Sequence, residues 1–82
     1  MPTFIPDSHR QQLATLLGIA GARMADDPDD ATVHVIHHGN ADWTAEYLGA
    51  LQGDPIWRLT GPAHPGGITL DKYGIVTAVT TA

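Results

Sequence analysis

The 82-residue sequence has no cysteine at all and a single lysine, Lys72. Without thiols there is no disulfide to staple the chain, no thiolate zinc site, no catalytic cysteine and no cysteine-bound iron–sulfur cluster. The basic residues are Arg10, Arg23, Arg58 and Lys72, set against nine acidic ones, and the formal net charge is −5. They are scattered along the chain, so no basic stripe exists to follow a phosphate backbone or an anionic bilayer. Neither nucleic acid nor membrane is an expected partner. No apolar run approaches the ~20 residues of a membrane-spanning helix. The opening Met1-Pro2-Thr3-Phe4-Ile5-Pro6 lacks the basic start and apolar stretch of a signal peptide. The expected compartment is the cytoplasm. Scarce lysine with abundant Ala, Gly and Asp fits coding from a GC-rich genome, bacterial or phage.

Nucleophilic and acid–base chemistry have little to draw on. Ser8 is the only serine and Glu46 the only glutamate, so a paired-carboxylate site would have to use aspartates, most of them in loops or caps. Gly61, Gly66 and Gly67 precede a strand, have no lysine after them, and form neither a dinucleotide fingerprint nor a phosphate loop. The acidic run Asp26-Asp27-Pro28-Asp29-Asp30 suggests calcium only until the register is tried. Counted from Asp26, the glycine and glutamate positions of an EF-hand loop fall on Ala31 and His37; counted from Asp27, they fall on Thr32 and His38. A solvated acidic linker is the better reading, and no cofactor is expected.

What is present is the composition of one small folded unit. The hydrophobic fraction is 43% and the charged fraction 16%, which suits a globule and not a disordered tail. A chain this short buries only about 60–65% of its unfolded surface, and its core supplies roughly 3–5 kcal/mol. Residues 1–6 read as an extended lead. A helix is expected over 7–25, capped by Ser8 in a capping box with Gln11, or by Asp7. Its apolar stripe is Leu13, Leu16, Leu17, Ala20 and Met24. Ala14, Gly18 and Ala22 form a small-residue strip that would admit another backbone, or else are tolerated glycine and alanine.

Residues 32–37 read as a strand, and 42–52 as a second helix with Trp43, Tyr47, Ala50 and Leu51 on one face, capped by Asn40 or Asp42. Residues 56–59 read as a short strand and 61–67 as a loop. Residues 68–80 read as a C-terminal hairpin turning at Asp71-Lys72-Tyr73-Gly74. The resulting fold class is α+β in the order α-β-α-β-β-β. Two helices pack on one face of a three- or four-stranded mixed sheet, and 32–59 is long enough for a β-α-β crossover.

Two places could carry function. The first is the histidine turn. His37 and His38 precede the expected second helix, and a metal or catalytic site there would recruit His64, with Asp42 and Trp43 nearby. On a continuous strand His34 and His38 lie about 13 Å apart and His37 faces the other way, so structural histidines are the plainer reading. The second is the last expected strand, Ile75 to Thr81, which is uncharged and β-branched. At a sheet edge, Ile75, Thr77 and Val79 would pair with a second copy or another protein; in a central strand they would not. Trp43 is either an interface anchor or core bulk. The expectation is a non-enzymatic interaction or regulatory module that binds a protein partner or itself. The alternative is a small enzyme or ligand-binding domain at the His37–His38 turn.

Overall fold

The structure, a computed structural model, describes residues 5–81. The order is α1 (Asp7–Ile19), β1 (Arg23–Asp26), β2 (Val33–His38), β3 (Ala41–Leu51), β4 (Asp54–Gly61), β5 (His64–Asp71) and α2 (Lys72–Thr81). The strands form one five-stranded sheet in the order β1-β2-β3-β4-β5, every neighbouring pair antiparallel. This corrects the expected α-β-α-β-β-β order and its small mixed sheet: the sheet is a meander between two terminal helices, with no crossover.

Helix α1 stops six residues short of the expected end, and the cause is local. Gly21 takes φ +84°. Ala22 N–H then donates to Leu17 O at 2.8 Å, and Gly21 N–H to Gly18 O at 3.1 Å. These are the paired bonds of a Schellman stop, with Leu17 and Ala22 both buried beside it. Met24 therefore belongs to β1 and not to the helix. At the other end, Pro6 is the N-cap and no side chain caps the helix, so the Ser8–Gln11 capping box does not form. Ala14 and Gly18 are exposed, and a Cβ on Gly18 would meet nothing within 4 Å. Among the described residues, no backbone packs on Ala14 or Gly18, while Ala22 is buried in the core. Of the extended lead, residues 1–4 lie outside the described residues, while Ile5 packs against the core.

The expected second helix is strand β3. Trp43 and Tyr47 are four apart, a spacing that shares a face in a helix and in a strand alike. The decisive residue is Ala45, fully buried between them, while Thr44 is exposed. That alternation, with Trp, Thr and Tyr together, suits a pleated surface. The turn before it is Gly39-Asn40, a two-residue hairpin with Gly39 at φ +61°, as a primed turn requires. It does not cap a helix.

The expected C-terminal hairpin is β5 followed at once by α2. Asp71 Oδ1 accepts the Gly74 N–H at 2.7 Å and so caps the helix. The threonines turn their hydroxyls onto the helix itself: Thr77 donates to Tyr73 O at 3.0 Å, Thr80 to Val76 O at 2.7 Å and Thr81 to Thr77 O at 2.7 Å. Ile75 and Val79, four apart, are both buried. Burial on one helical stripe overrides the β-propensity of the segment.

One face of the sheet makes the core. Register puts Asp26, His34, Ala45, Leu59 and Ile68 in one row across all five strands, with Ile36–Trp43 and Tyr47–Trp57–Leu70 beside it. α1 packs on β1 and α2, and α2 on β4 and β5. Leu13, Leu17, Ile75 and Val79 close the core over Trp43, Trp57 and Leu59. The opposite face carries Val35, Thr44 and Thr60 in one row and Val33, Glu46, Arg58 and Thr69 in the next.

Candidate functional site

The histidines do not converge. His37 Nδ1 lies 2.6 Å from Asp42 Oδ1, a cross-strand pair on the open face. His38 ends β2 opposite Ala41, and its side chain shares the alternation of His34 and Ile36. His64 begins β5 opposite Gly61. β3 and β4 separate it from β2, which at sheet spacing is about 14 Å. Among the described residues no group of three or more His, Asp or Glu side chains is placed to hold a metal ion. The acidic linker is a turn built on itself: Asp27 Oδ1 accepts the Asp29 N–H at 2.7 Å, and Asp30 Oδ1 accepts from Thr32 N and Oγ1 at 2.9 and 2.7 Å. The backbone bond from Thr32 and then its hydroxyl hold the Asp30 carboxyl below its ordinary value.

The residues expected at a partner surface are mostly inside. Ile75, Val79 and Trp43 are at most 1% exposed, and the edge-strand argument for Ile75, Thr77 and Val79 ends with their segment being a helix. Thr77 is exposed, with its hydroxyl bonded to Tyr73 O. The strands that do end the sheet are β1 and β5.

Two arrangements outside those expectations stand out. The first is the open sheet face. Its centre holds Glu46 and Arg58, cross-strand partners whose Oε1 and Nη1 lie 3.3 Å apart. Val33, Val35 and Ile56 are half-buried there, and Thr44 is exposed. A bulge between Tyr47 and Gly49 leaves Leu48 44% exposed at its border.

The second arrangement is polar and enters the core. His34 on β2 is 2% exposed and is the buried polar side chain among the described residues. Its ring packs on Trp57 at 5.6 Å, and Trp57 meets Tyr47 edge-on at 5.1 Å. Tyr47 OH in turn lies 3.0 Å from His9 Nδ1 on α1. His34 Nδ1 is 2.9 Å from Asp26 Oδ1 across the β1–β2 pair. Nδ1 thus faces the Asp26 carboxylate, while among the described residues Nε2 has no hydrogen-bond partner. Arg10 on α1 grips the same carboxylate twice, at 3.1 Å from Nε and 2.9 Å from Nη2. Burial pushes the His34 pKa below its ordinary value; the Asp26 charge opposes this and the Arg10 charge adds to it. Alternation alone could have flagged His34, since it shares the buried face with Ile36. Nothing in the sequence connects Arg10 to Asp26. The chain matches no family model, no curated protein and no solved structure.

Proposed function

We propose that this chain is a non-enzymatic protein-interaction module that works as a homodimer, two copies stacking the open faces of their sheets. The observation that carries the reading is the one-sided placement of the helices. Both contribute their buried residues to one core, while the opposite face holds half-buried Val33, Val35 and Ile56 with no element over them among the described residues. Antiparallel sheets stack face to face at about 10 Å with inward side chains interdigitating.

The second copy is the occupant because the face is self-complementary. Glu46 and Arg58 sit side by side, and a two-fold axis near them sets each Arg58 against the other copy's Glu46. A domain this size also gains most from extra burial, since its own core supplies only roughly 3–5 kcal/mol. A stable dimer needs about 800 Å² from each partner.

Sedimentation velocity at high micromolar concentration tests this, with a dimer as the expected species. Thr44→Lys, an exposed change at the centre of the face, should yield a folded monomer. Glu46→Arg should weaken the dimer, and adding Arg58→Glu should restore it. A strictly monomeric parent protein, or a dimer indifferent to Thr44→Lys, overturns the proposal.

A further inference from the structure

β5 carries a notch on the open face. Its pairing with β4 slips between Leu59 and Gly61, so Pro65, Gly66 and Gly67 stand against the single Thr60. Gly67 takes φ +84° there. A Cβ on it would come within 3.0 Å of both Arg58 Cγ and Arg58 Cδ, and within 3.3 Å of Thr60 Oγ1. The aliphatic stem of Arg58 therefore lies in the space that a side chain at Gly67 would fill. Gly53 has almost the same backbone, φ +86°, yet a Cβ there meets nothing within 4 Å. The notch belongs to Gly67 and is not a general property of the turn glycines.

The position of the stem decides where the charge goes. Arg58 Nη1 reaches Glu46 Oε1 at 3.3 Å on the neighbouring strand. A guanidinium carries five N–H donors in a rigid fork. Nη1 is the nitrogen engaged here, and among the described residues Nε and Nη2 have no acceptor. Ordering a long exposed side chain on association ordinarily costs affinity. Arg58, its stem seated in the notch and its tip on Glu46, is already restricted in the single chain.

We infer that Arg58 is the preset anchor of the dimer face and that Gly67 is the residue that positions it. The inference rests on the homodimer proposed above. In that dimer the fork of Arg58 bridges two carboxylates, its own Glu46 through Nη1 and the other copy's Glu46 through the remaining donors. Arginine is favoured as such an anchor, and lysine would keep the charge without the fork. Gly67 acts through Arg58, by leaving room for its stem.

The test compares Gly67→Asn with Gly53→Asn in the full chain. Asparagine tolerates a positive φ better than most residues, so Gly67→Asn fills the notch with little backbone strain, and Gly53→Asn controls for what strain remains. Sedimentation equilibrium should show dimer affinity at least tenfold weaker in Gly67→Asn and unchanged in Gly53→Asn. Arg58→Lys should weaken the dimer at least threefold. A second measurement does not depend on the dimer. In the ¹⁵N-labelled Thr44→Lys background, NMR relaxation of the Arg58 Nε–Hε group should report restricted motion. Adding Gly67→Asn should release it, and adding Gly53→Asn should not. With a dimeric parent protein, a mobile Arg58 or equal effects of the two asparagine variants would overturn the inference and leave the homodimer standing. A monomeric parent protein overturns the homodimer and, with it, the anchoring role of Arg58.

Discussion

Gly61, the last residue of β4, faces the six-membered ring of the Trp43 indole so closely that a Cβ there would overlap Trp43 Cε3, with Cζ3 at 2.5 Å and Cδ2 at 2.6 Å. Its φ lies outside the left-handed region, so the constraint is space and not backbone conformation. Trp43 is 1% exposed and packed in the core; it has no solvent side to retreat to. Gly61→Ala must therefore displace the indole or bend the β4–β5 turn. Overpacking of this kind costs about 1–3 kcal/mol. Restricting the unfolded chain returns roughly 0.4–1 kcal/mol, so the net loss is about 1–2 kcal/mol.

Gly18→Ala is the matched control. Gly18 lies inside α1 with open space around its missing Cβ, and the exchange should stabilise by about 0.8–1 kcal/mol. For a domain of 60–100 residues, 1 kcal/mol moves the melting temperature by about 4–8 °C. Thermal and urea unfolding followed by circular dichroism should thus show the two variants moving in opposite directions. Tryptophan fluorescence should change in Gly61→Ala alone. Equal effects, or a neutral Gly61→Ala, would refute the placement of Trp43 against β4.

Acid should weaken the fold through His34. Burial depresses its folded pKa below the ordinary histidine value of about 6.5, so the unfolded chain binds more protons between the two values and stability falls as pH drops below about 6.5. Urea midpoints from pH 7.5 to 5 should decline, and His34→Phe, if folded, should flatten that decline; a flat profile in the parent protein contradicts the burial. Val79→Lys should unfold the chain outright and not merely separate copies, since Val79 is 1% exposed and an unpaired buried ammonium is severely disfavoured. Ile75→Ala should cost about 2–5 kcal/mol for the cavity it leaves, measured by urea denaturation. Arg10→Ala should cost at most about 1 kcal/mol, because both partners of the Arg10–Asp26 pair are about half exposed; a larger loss would mean that the pair holds β1 in place.

The parts of the fold that could be read from sequence are those where one signal had no rival. β2 is Val33-His34-Val35-Ile36, strongly β-branched, and its observed range differs from the expected one by a single residue at each end. β3 resembles a helix in sequence because Trp43 and Tyr47 satisfy both periods, and Ala50 and Leu51 extend the apparent helical face. Those two residues lie beyond the bulge at Tyr47/Gly49, where alternation restarts and a sequence count loses its phase. α2 is hidden in the sequence for the opposite reason. Its β-branched content points firmly to strand, and only the Asp71 cap and the burial of Ile75 and Val79 on one stripe turn it into helix. Burial of that kind depends on where β4 and β5 lie, which no window of local residues contains.

The same distinction applies to the sites. The histidine turn is conspicuous because His37 and His38 are adjacent in sequence, yet on a strand adjacency places two side chains on opposite faces. The polar arrangement at His34 uses residues from α1, β1 and β2, and its members Arg10, Asp26 and His34 are brought together by strand register and the packing of α1. Their partnership follows from one antiparallel pair, Asp26 opposite His34. A one-residue slip of β1 that set Ala25 opposite His34 would turn Asp26 to the open face and take the carboxylate away from the ring. Register is thus the quantity on which the Asp26–His34 pair depends, and the Schellman stop at Gly21 helps to set it by fixing where α1 ends and β1 begins. Gly21→Ala, strained at φ +84°, should therefore destabilise the fold in urea denaturation, and a variant that keeps full stability would break this chain of dependence.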